Sequence, residues 1–416
     1  MSASKPFTIS KWLVYEAWKI VKANAGSAGV DRETIDDFET DLKNNLYRIW
    51  NRMSSGSYFP PAVKAVAIPK KNGGERILGI PTVADRVAQV VVKMVLEPVL
   101  EPIFLPDSYG YRPAKSALDA VEITRKRCWK YDWVLEFDIK GLFDNIDHAL
   151  LLRALEKHTD CKWVMLYTRR WLTAPLQRAD GTLVERTKGT PQGGVVSPVL
   201  ANLFLHYVFD VWMTRTFPGV PWCRYADDGL VHCKTEAEAL AIKVALQARL
   251  VECGLEMHPE KTHIAYCKDA NRKGEYPNTK FDFLGYTFRG RKATQRNSST
   301  LFVSFLPAVG AKALKSMRQK TRKLNFRNQT DLSLQDISRL HNPVLRGWVA
   351  YYGRFYPSAL APMFRHFNQT LVSWAMKKYK RLNGHKKRAS IFLETIAEKE
   401  PYLFVHWQRG VIGAFA

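Results

Sequence analysis

The sequence lacks several patterns that identify common classes of protein. None of its six cysteines forms a CxxC pair, and no cysteine–histidine run has zinc spacing, so neither a zinc domain nor a disulfide framework is expected. No stretch of 18 apolar residues is present, so we predict no membrane-spanning helix. The first residues have no signal-peptide pattern. These absences favour a protein of a reducing compartment, the cytoplasm.

Acidic residues are also scarce. The chain of 416 residues has 39 aspartates and glutamates against 63 lysines and arginines, a net charge of +24. Such a surplus indicates a polyanionic partner, with nucleic acid ahead of an acidic membrane surface. Residues 301–416 contain 20 lysines and arginines but only 5 acidic residues. This last quarter is therefore predicted to bind nucleic acid, the alternative being a basic face that serves solubility.

Strand and helix patterns alternate irregularly along the first three quarters of the chain. Hydrophobic residues make up 46% of the sequence, enough for packed cores in two or three domains. Helical spacing is found at 8–23 and at 83–101, where a helix should end near Pro98 or Pro102. A strand is predicted at 63–69, and ILGIP is predicted to form the second strand of a hairpin with it. Strands are also predicted at 133–138 and 279–288, and two strands around a tight turn at 222–233. The fold class that follows is α+β, with a small antiparallel sheet backed by helices.

Three aspartates form the strongest chemical signal. Asp227 and Asp228 lie at a tight turn between two apolar strands, and Asp138 ends another apolar strand. Carboxylates crowded together repel each other, and a divalent cation removes that cost. Mg²⁺ prefers oxygen ligands and is commonly bound by carboxylates together with the phosphates of a substrate. Many enzymes use two such ions for nucleotidyl transfer. A pair of aspartates is more often simply a polar turn, but the apolar flanks and Asp138 favour a metal site.

The ordered set of motifs resembles the polymerase core of group II intron-encoded reverse transcriptases of the bacterial type. AGSAGVD is similar to the extension that precedes the fingers, and IPKKNGGERILGIPTVADRVAQ to the fingers hairpin. The core blocks that follow are SYGYRPAKSALDAV, FDIKGLFDNIDH, GTPQGGVVSPVLANLFLHYVFD, RYADDGLVHC, LEMHPEKT and FLGYTF. LRGWVAYYGRFYP then resembles the thumb or maturase region of that family. The resemblance covers roughly residues 20–370.

The resemblance implies a right-hand polymerase. Fingers and palm are expected at residues 1–300, a helical, basic thumb or maturase domain at 301–385, and a basic C-terminal tail at 386–416. Asp138, Asp227 and Asp228 match the catalytic carboxylates that hold two Mg²⁺ ions, for which Mn²⁺ is a possible substitute. The carbonyl of Ile139 is expected as an additional metal ligand.

The resemblance also implies a deoxynucleotide pocket and an RNA-binding surface. Phe143 matches the gate that crowds a 2′-hydroxyl. The other residues expected at the substrate are Lys70, Arg76, Gln192, Gly193 and Lys261. The residues expected to bind nucleic acid are Lys312, Lys315, Arg318, Lys320, Arg322, Lys323, Arg346 and Arg354.

Each assignment has a structural alternative. Phe143 could be an ordinary core residue, and Lys70, Lys71 and Arg76 a solvated hairpin tip. Lys261 could instead pair with Glu256 or Glu260 at the surface. Asp144 and Asp147 are expected to cap the next helix rather than bind metal. About half of the aromatic residues between Trp348 and Tyr356 are expected in the core.

The function implied is an RNA-directed DNA polymerase with a maturase role in intron splicing and mobility. Its partners would be structured RNA, a primed RNA template and dNTPs. The sequence has no cysteine–histidine cluster of the kind that binds metal in an endonuclease domain, so no DNA endonuclease is predicted. A reverse transcriptase repurposed for defence or DNA repair stays open, as does an RNA-splicing chaperone with little polymerase activity. Phe143 at the gate position disfavours ribonucleotides, which argues against a viral RNA-dependent RNA polymerase.

Overall fold

The computed structural model describes residues 5–69, 74–294 and 300–415. Within these ranges it contains fifteen α-helices and eleven strands, which confirms the predicted α+β class. None of the helices in the described ranges is long and apolar enough to cross a membrane.

The helices are numbered here in chain order. They are α1 Lys11–Asn24, α2 Ile35–Thr40, α3 Leu42–Ser55, α4 Val83–Leu100, α5 Ala117–Cys128, α6 Leu142–Asn145, α7 His148–Glu156, α8 Lys162–Thr173, α9 Ser197–Leu205, α10 Val211–Thr216, α11 Glu236–Glu252, α12 Ala311–Leu324, α13 Leu334–Tyr352, α14 Ala361–Lys378 and α15 Lys386–Lys399. A π-helical turn, His206–Asp210, joins α9 to α10.

The strands are numbered in the same way. They are β1 Val63–Pro69, β2 Glu75–Ile80, β3 Trp133–Asp138, β4 Leu176–Gln177, β5 Leu183–Val184, β6 Trp222–Tyr225, β7 Asp228–Cys233, β8 His263–Tyr266, β9 Lys280–Phe283, β10 Tyr286–Thr294 and β11 Leu301–Val309. They form three sheets, with the orders β2-β1-β4-β5, β6-β7-β3-β8 and β11-β10-β9.

The chain divides into two compact units. Unit 1 comprises Met1–Ala120 and Leu135–His263, and unit 2 comprises Val121–Val134 and Ile264–Ala416. These limits differ from the functional division predicted at residues 300 and 385.

Helix α4 is a central support of unit 1. Its N-terminus is capped by Thr82, and valines such as Val87 and Val91 on its buried face are fully enclosed. The helix ends at Leu100, between the two prolines where its end was predicted. Gln89 of α4 accepts a hydrogen bond of 2.7 Å from the backbone N–H of Val195. The helix thus holds the loop that follows the PQGG motif.

The predicted basic hairpin is confirmed as far as the structure describes it. Strands β1 and β2 are antiparallel, with Lys64 opposite Ile80 and Pro69 opposite Glu75. Lys70 and Lys71 lie outside the described residues, so only the base of the hairpin can be compared with the prediction.

Unit 2 packs four helices around an aromatic core. Phe326 and Phe367 have ring centroids 5.1 Å apart, and Trp374 is fully buried. Residues 386–415, expected as a tail, instead form α15 and a packed segment in which Phe404 and Trp407 are buried. Asn368 binds the carbonyl oxygens of residues 411–413 at 3.0–3.1 Å, which attaches the end of the chain to α14.

One predicted strand is two strands in the structure. The segment 279–288 was expected to run straight, but Leu284 and Gly285 have φ values of +51° and +82°. This left-handed turn reverses the chain, so that β9 pairs antiparallel with β10 and Phe283 faces Tyr286. The alternating pattern of a short hairpin resembles that of one strand, since both have a period of two.

Candidate active site

The acidic turn Tyr225–Asp228, called here the catalytic turn, connects β6 to β7. Tyr225 pairs with Asp228, which leaves Ala226 and Asp227 as a two-residue hairpin loop. Ala226 has a φ of +57°, a left-handed conformation that costs an L-residue roughly 1–2 kcal/mol. Gly110 lies directly against this turn. A Cβ atom at Gly110 would collide with the backbone nitrogen of Ala226, so no larger residue fits there. The turn is therefore held by its surroundings in a conformation that alanine does not favour.

A fully buried ion pair supports the catalytic turn from below. The Arg224 guanidinium donates two hydrogen bonds of 2.7 Å to the two carboxylate oxygens of Asp210, the last residue of the π-helical turn. It also donates to the carbonyl of Ala226 at 3.0 Å and to the hydroxyl of Ser108 at 2.8 Å. Both charged side chains have no solvent exposure. Since a lone buried charge is strongly destabilising, each requires the other.

Asp138 ends strand β3 with its carboxylate on one face of the sheet. The preceding residue, Phe137, faces the other side and packs on Phe209 of the π-helical turn, with ring centroids 4.9 Å apart. The carbonyl of Asp138 accepts a hydrogen bond of 2.8 Å from the N–H of His258, which aligns the HPEK segment. Lys261 of this segment donates from Nζ to Oδ2 of Asp138 at 2.7 Å. Among the described residues, Lys261 forms its ion pair with Asp138 rather than with Glu256 or Glu260, and Glu256 pairs with Lys140.

The three carboxylates interact electrostatically. Desolvation by surrounding protein, followed by the charges of Asp227 and Asp138, raises the pKa of Asp228 to about 7. Desolvation is also the main cause of the raised pKa of Asp227, and the negative charge of Asp138 adds to it. Asp228 is an exposed residue as a whole. Its carboxyl nevertheless lies among protein atoms that remove part of its hydration. The cluster thus holds more negative charge than Lys261 alone compensates.

This charge balance fits divalent cations. In the described ranges, no group of three or more His, Cys, Asp and Glu side chains is already arranged as a metal site. The raised pKa values of Asp227 and Asp228 nevertheless indicate a site where added positive charge would be favourable. Carboxylate oxygens open to solvent are the ligands that Mg²⁺ prefers. Asp138, Asp227 and Asp228 are therefore the residues that would hold it.

Phe143 lies on the short helix α6, five residues after Asp138. Its ring is edge-on to that of Tyr111, with centroids 6.3 Å apart. The Phe143 carbonyl accepts a hydrogen bond of 2.7 Å from the N–H of Thr190, which connects it to the PQGG loop. Only 8% of Phe143 is exposed, so its backbone and ring are both fixed. The position suits a gate, and burial of this extent is equally compatible with a core role.

A polar network joins the base of the basic hairpin to the PQGG loop. Arg76 donates to the side-chain oxygen of Gln192, whose amide nitrogen donates to the Asp144 carboxylate at 3.0–3.1 Å. Gly193 has a φ of +120°, and a Cβ atom there would collide with the carbonyl oxygen of Gly79. The structure therefore brings Arg76, Gln192 and Gly193 together.

Two helix-capping predictions had different outcomes. Asp147 caps α7, as expected, by accepting a hydrogen bond of 2.8 Å from the N–H of Leu150. Asp144 was expected to do the same, but it lies inside α6 and accepts a hydrogen bond from the side-chain amide of Gln192 instead.

Ile139 is buried and forms an isolated β-bridge with Met257.

Two residues at the site were missed by the sequence analysis. Tyr111 has a φ of +57°, is half-exposed, and has a pKa raised by burial and by the nearby charge of Asp227. Arg224 supports the catalytic turn, as described above. A sequence signal existed for Arg224, since it and Asp210 are isolated charges within otherwise apolar segments. Tyr111 had no comparable signal, because its place beside Asp227 depends on the contact of Gly110 with the turn.

Six of the eight basic residues that were predicted to bind nucleic acid lie on one helix of unit 2. Helix α12 carries Lys312, Lys315, Arg318, Lys320, Arg322 and Lys323, while Met317 and Thr321 form its buried face. Arg346 is exposed on α13. Arg354, by contrast, is paired with Glu122 at 2.8 Å. A large part of the predicted RNA-binding set therefore shares one exposed helix.

The aromatic residues near the end of α13 are partly enclosed. Tyr351, Tyr352 and Phe355 surround Tyr286 of β10, with ring centroids 5.4–5.6 Å away. Trp348 packs at the edge of the helical core. This arrangement agrees with a core role for these four aromatics.

Comparisons with known proteins agree with this geometry. A family model described as "Reverse transcriptase (RNA-dependent DNA polymerase)" matches residues 68–288. A second, described as "Group II intron, maturase-specific domain", matches residues 314–391. The chain therefore belongs to the reverse transcriptase family and carries a group II intron maturase domain. This confirms the resemblance inferred from the motifs and, at the level of the family, an RNA-directed DNA polymerase.

Individual relatives cover different shares of the chain. Protein YkfC of Escherichia coli (strain K12) is 30% identical over 339 residues, 71% of this chain and 85% of that protein. Group II intron-encoded protein LtrA of Lactococcus lactis subsp. cremoris is 34% identical over 198 residues, 47% of this chain. That match spans only 32% of LtrA.

A more distant likeness is found among solved structures. A telomerase from Candida albicans, in complex with a TWJ fragment of telomeric RNA, aligns with 90% of this chain and 67% of that chain. The TM-score is 0.46 and the identity 14%, so this likeness adds nothing to the family assignment.

Proposed function

We propose that this protein copies an RNA template into DNA by two-metal nucleotidyl transfer at Asp138, Asp227 and Asp228. The observation that carries the proposal is the carboxylate cluster at the end of β3 and the catalytic turn, where the pKa values of Asp227 and Asp228 are raised. When bound, two Mg²⁺ ions, or Mn²⁺ in their place, would activate the primer 3′-hydroxyl and neutralise the leaving pyrophosphate.

The residues around the cluster take separate roles in this proposal. Asp138 and Asp227 serve as direct metal ligands, with Asp228 and the Ile139 carbonyl beside them. Lys261, which holds Asp138 at 2.7 Å, positions that carboxylate and supports the primer end.

The deoxynucleotide would lie between the hairpin and the PQGG loop. Arg76 and Lys70 contact its triphosphate, as a guanidinium and an ammonium do in phosphate sites. Gln192 and Gly193 line the pocket, where the missing side chain at Gly193 lets backbone approach the nascent pair. Phe143 excludes a ribose 2′-hydroxyl by occupying its space.

The test of polymerisation is dNTP incorporation on a primed RNA template with Mg²⁺. Asp227→Ala should abolish synthesis, whereas the control Asp160→Ala, at an exposed residue outside the site, should leave it unchanged. A well-folded wild type that binds RNA tightly without synthesising DNA would refute the polymerase and favour an RNA-splicing chaperone.

The maturase role is a second part of the proposal. The domain match at 314–391 and the basic helix α12 support binding to structured RNA, for which group II intron RNA is our candidate. Functionally, we retain the division into fingers and palm to residue 300, thumb to 385 and a basic C-terminal segment, acting in a bacterial cytoplasm. Splicing of a parent intron in vitro, with and without the protein, tests this role.

A further inference from the structure

A second concave site lies in unit 1, away from the catalytic carboxylates. It is a cleft of about 460 Å³ lined by residues of α7, the π-helical turn, α10 and α11. Phe209 of the π-helical turn packs on Phe137, whose side chain faces opposite to that of Asp138. The cleft, called here the rear cleft, is thus built on helices that cover the sheet face opposite to the active site.

The rear cleft is strongly cationic. Arg153, Lys157, Arg215 and Arg249 line it. Glu252, the one acidic residue among the described lining residues, is paired with Arg249 at 2.8 Å. Within the ranges that the structure describes, Arg153 and Arg215 have no ion-pair partner. Both are exposed, so their guanidinium groups are available to an anion.

Arg249 has a structural task that separates it from the other cations. Its guanidinium donates to the carbonyls of Tyr207 and Val208, at 3.3 and 3.2 Å. These carbonyls lie in the π-helical turn, a rare irregularity that is frequently found at functional sites. Arg249 therefore shapes the wall of the cleft, and Arg153 and Arg215 remain to bind a ligand.

Aromatic rings supply the apolar part of the lining. The Tyr207 hydroxyl is hydrogen-bonded to His158 at 2.6 Å, and Lys157 lies over the Tyr207 ring at 4.9 Å, so this ring is already engaged. Trp212 is half-buried and meets Phe217 edge-on. Its remaining surface lines the cleft and offers a plane for stacking.

We propose that the rear cleft binds a nucleoside phosphate, with the phosphate on Arg153 and Arg215 and the base against Trp212. The combination of unpaired guanidinium groups and an aromatic plane favours this chemistry over an anion without a ring. The ligand is either a nucleotide within bound RNA or a free nucleotide. This site does not depend on polymerase activity, because it contains none of the catalytic residues.

Photocrosslinking of the full chain tests the proposal with two probes. One is 8-azidoadenosine monophosphate, and the other is a short RNA that contains 4-thiouridine. The double variant Arg153→Glu, Arg215→Glu is compared with the control Lys43→Glu, Lys234→Glu, which has the same change in charge at exposed residues outside the cleft. Thermal melting verifies that both variants fold.

We expect crosslinks within 207–216, reduced roughly tenfold in the cleft variant but not in the control. Crosslinks from both probes assign a site open to free nucleotides, and crosslinks from RNA alone assign an RNA contact. Crosslinks that lie only elsewhere, or that persist in the cleft variant at the level of the control, overturn the proposal. Displacement of both probes by polyglutamate at matched ionic strength, but not by adenosine monophosphate, would also overturn it in favour of an acidic peptide.

Discussion

At the scale of a single residue, Phe143 combines a packing role that the structure shows with the gate role that we propose for it. The ring is buried against Tyr111, and its carbonyl holds the PQGG loop through Thr190. The gate role was expected from the resemblance of FDIKGLFDNIDH to the family's motif, in which Phe143 follows Asp138 by five residues. Packing against Tyr111 could not be predicted, because Tyr111 comes from a distant segment.

Replacing Phe143 with alanine should admit ribonucleotides. The lost ring removes the steric conflict with a 2′-hydroxyl, so discrimination between dCTP and CTP should fall by roughly 100-fold. The measurement is the ratio of kcat/KM for the two nucleotides, with Phe143→Tyr as a control that keeps the ring. An unchanged ratio in Phe143→Ala would assign the residue to the core alone.

His406 gives a second prediction at this scale, concerning stability and pH. Burial lowers the pKa of its imidazole to about 3, and Nε2 is hydrogen-bonded to Asn368. In the unfolded chain the pKa is about 6.5, so protons bind preferentially to the unfolded state as pH falls below that value. The contribution of neutral His406 to stability is present above about pH 6.5 and is lost progressively towards pH 3.

The size of this effect can be measured by denaturant unfolding. Between pH 7.5 and pH 5, protonation of His406 should lower the free energy of unfolding by about 2 kcal/mol. His406→Gln should show a smaller loss over the same interval, since glutamine does not titrate. Other buried histidines contribute equally to both proteins. Identical pH dependence in wild type and variant would contradict the account.

At the scale of secondary-structure elements, the catalytic turn depends on a helix irregularity. The π-helical turn carries Asp210, Asp210 binds Arg224, and Arg224 binds the carbonyl of Ala226. The strands around the acidic turn were predictable from their apolar pattern. The π-helical turn was not, because its sequence has the same apolar spacing as an ordinary helix.

A double-mutant cycle separates the effect of the Arg224–Asp210 pair on the position of the catalytic turn from its effect on the stability of the fold. Arg224→Met alone should lower the free energy of unfolding by about 3–5 kcal/mol, since it leaves Asp210 charged and buried. The double variant Arg224→Met, Asp210→Leu should recover most of that stability. Its kcat should remain low while the KM for dNTP changes little, because Ala226 has lost its anchor. A wild-type kcat in the double variant would show that the Arg224–Asp210 pair stabilises the fold without positioning the catalytic turn.

Elements were predicted best where one face is buried and a capping residue marks the end. Helix α1 begins after Ser10, whose hydroxyl accepts the N–H of Trp12, close to the start predicted at residue 8. The hairpin at Leu284 and Gly285 was missed, since positive φ at leucine is uncommon and has no local pattern. The base of the basic hairpin was found because its two strands flank a Gly-Gly turn.

At the scale of the whole molecule, charge was the most informative property of the sequence. The net charge of +24 and its concentration after residue 300 indicated a nucleic-acid partner before any motif was considered. The limits of the compact units could not be predicted in the same way. Unit 2 includes Val121–Val134, which is distant in sequence from Ile264–Ala416 and joins it only through tertiary contacts.

The basic helix α12 should dominate the salt dependence of RNA binding. The triple variant Lys315→Ala, Lys320→Ala, Lys323→Ala removes three exposed cations, so the slope of log affinity against log salt should decrease by about 3 in magnitude. Affinity should fall to a similar extent for different RNA sequences, because phosphate contacts are sequence-independent. Filter binding across a salt series measures it, with Lys162→Ala as a control. An unchanged slope would place the RNA on another surface.

DNA synthesis with divalent ions at Asp138, Asp227 and Asp228 is the function proposed for the whole molecule. Its most direct test is single-nucleotide incorporation on a primed RNA template across a series of Mg²⁺ concentrations. We expect a rate that rises more steeply than first order at low Mg²⁺, no incorporation in EDTA, and no rescue of Asp227→Asn by excess Mg²⁺. Incorporation that persists in EDTA, or in Asp227→Asn at the wild-type rate, would contradict it.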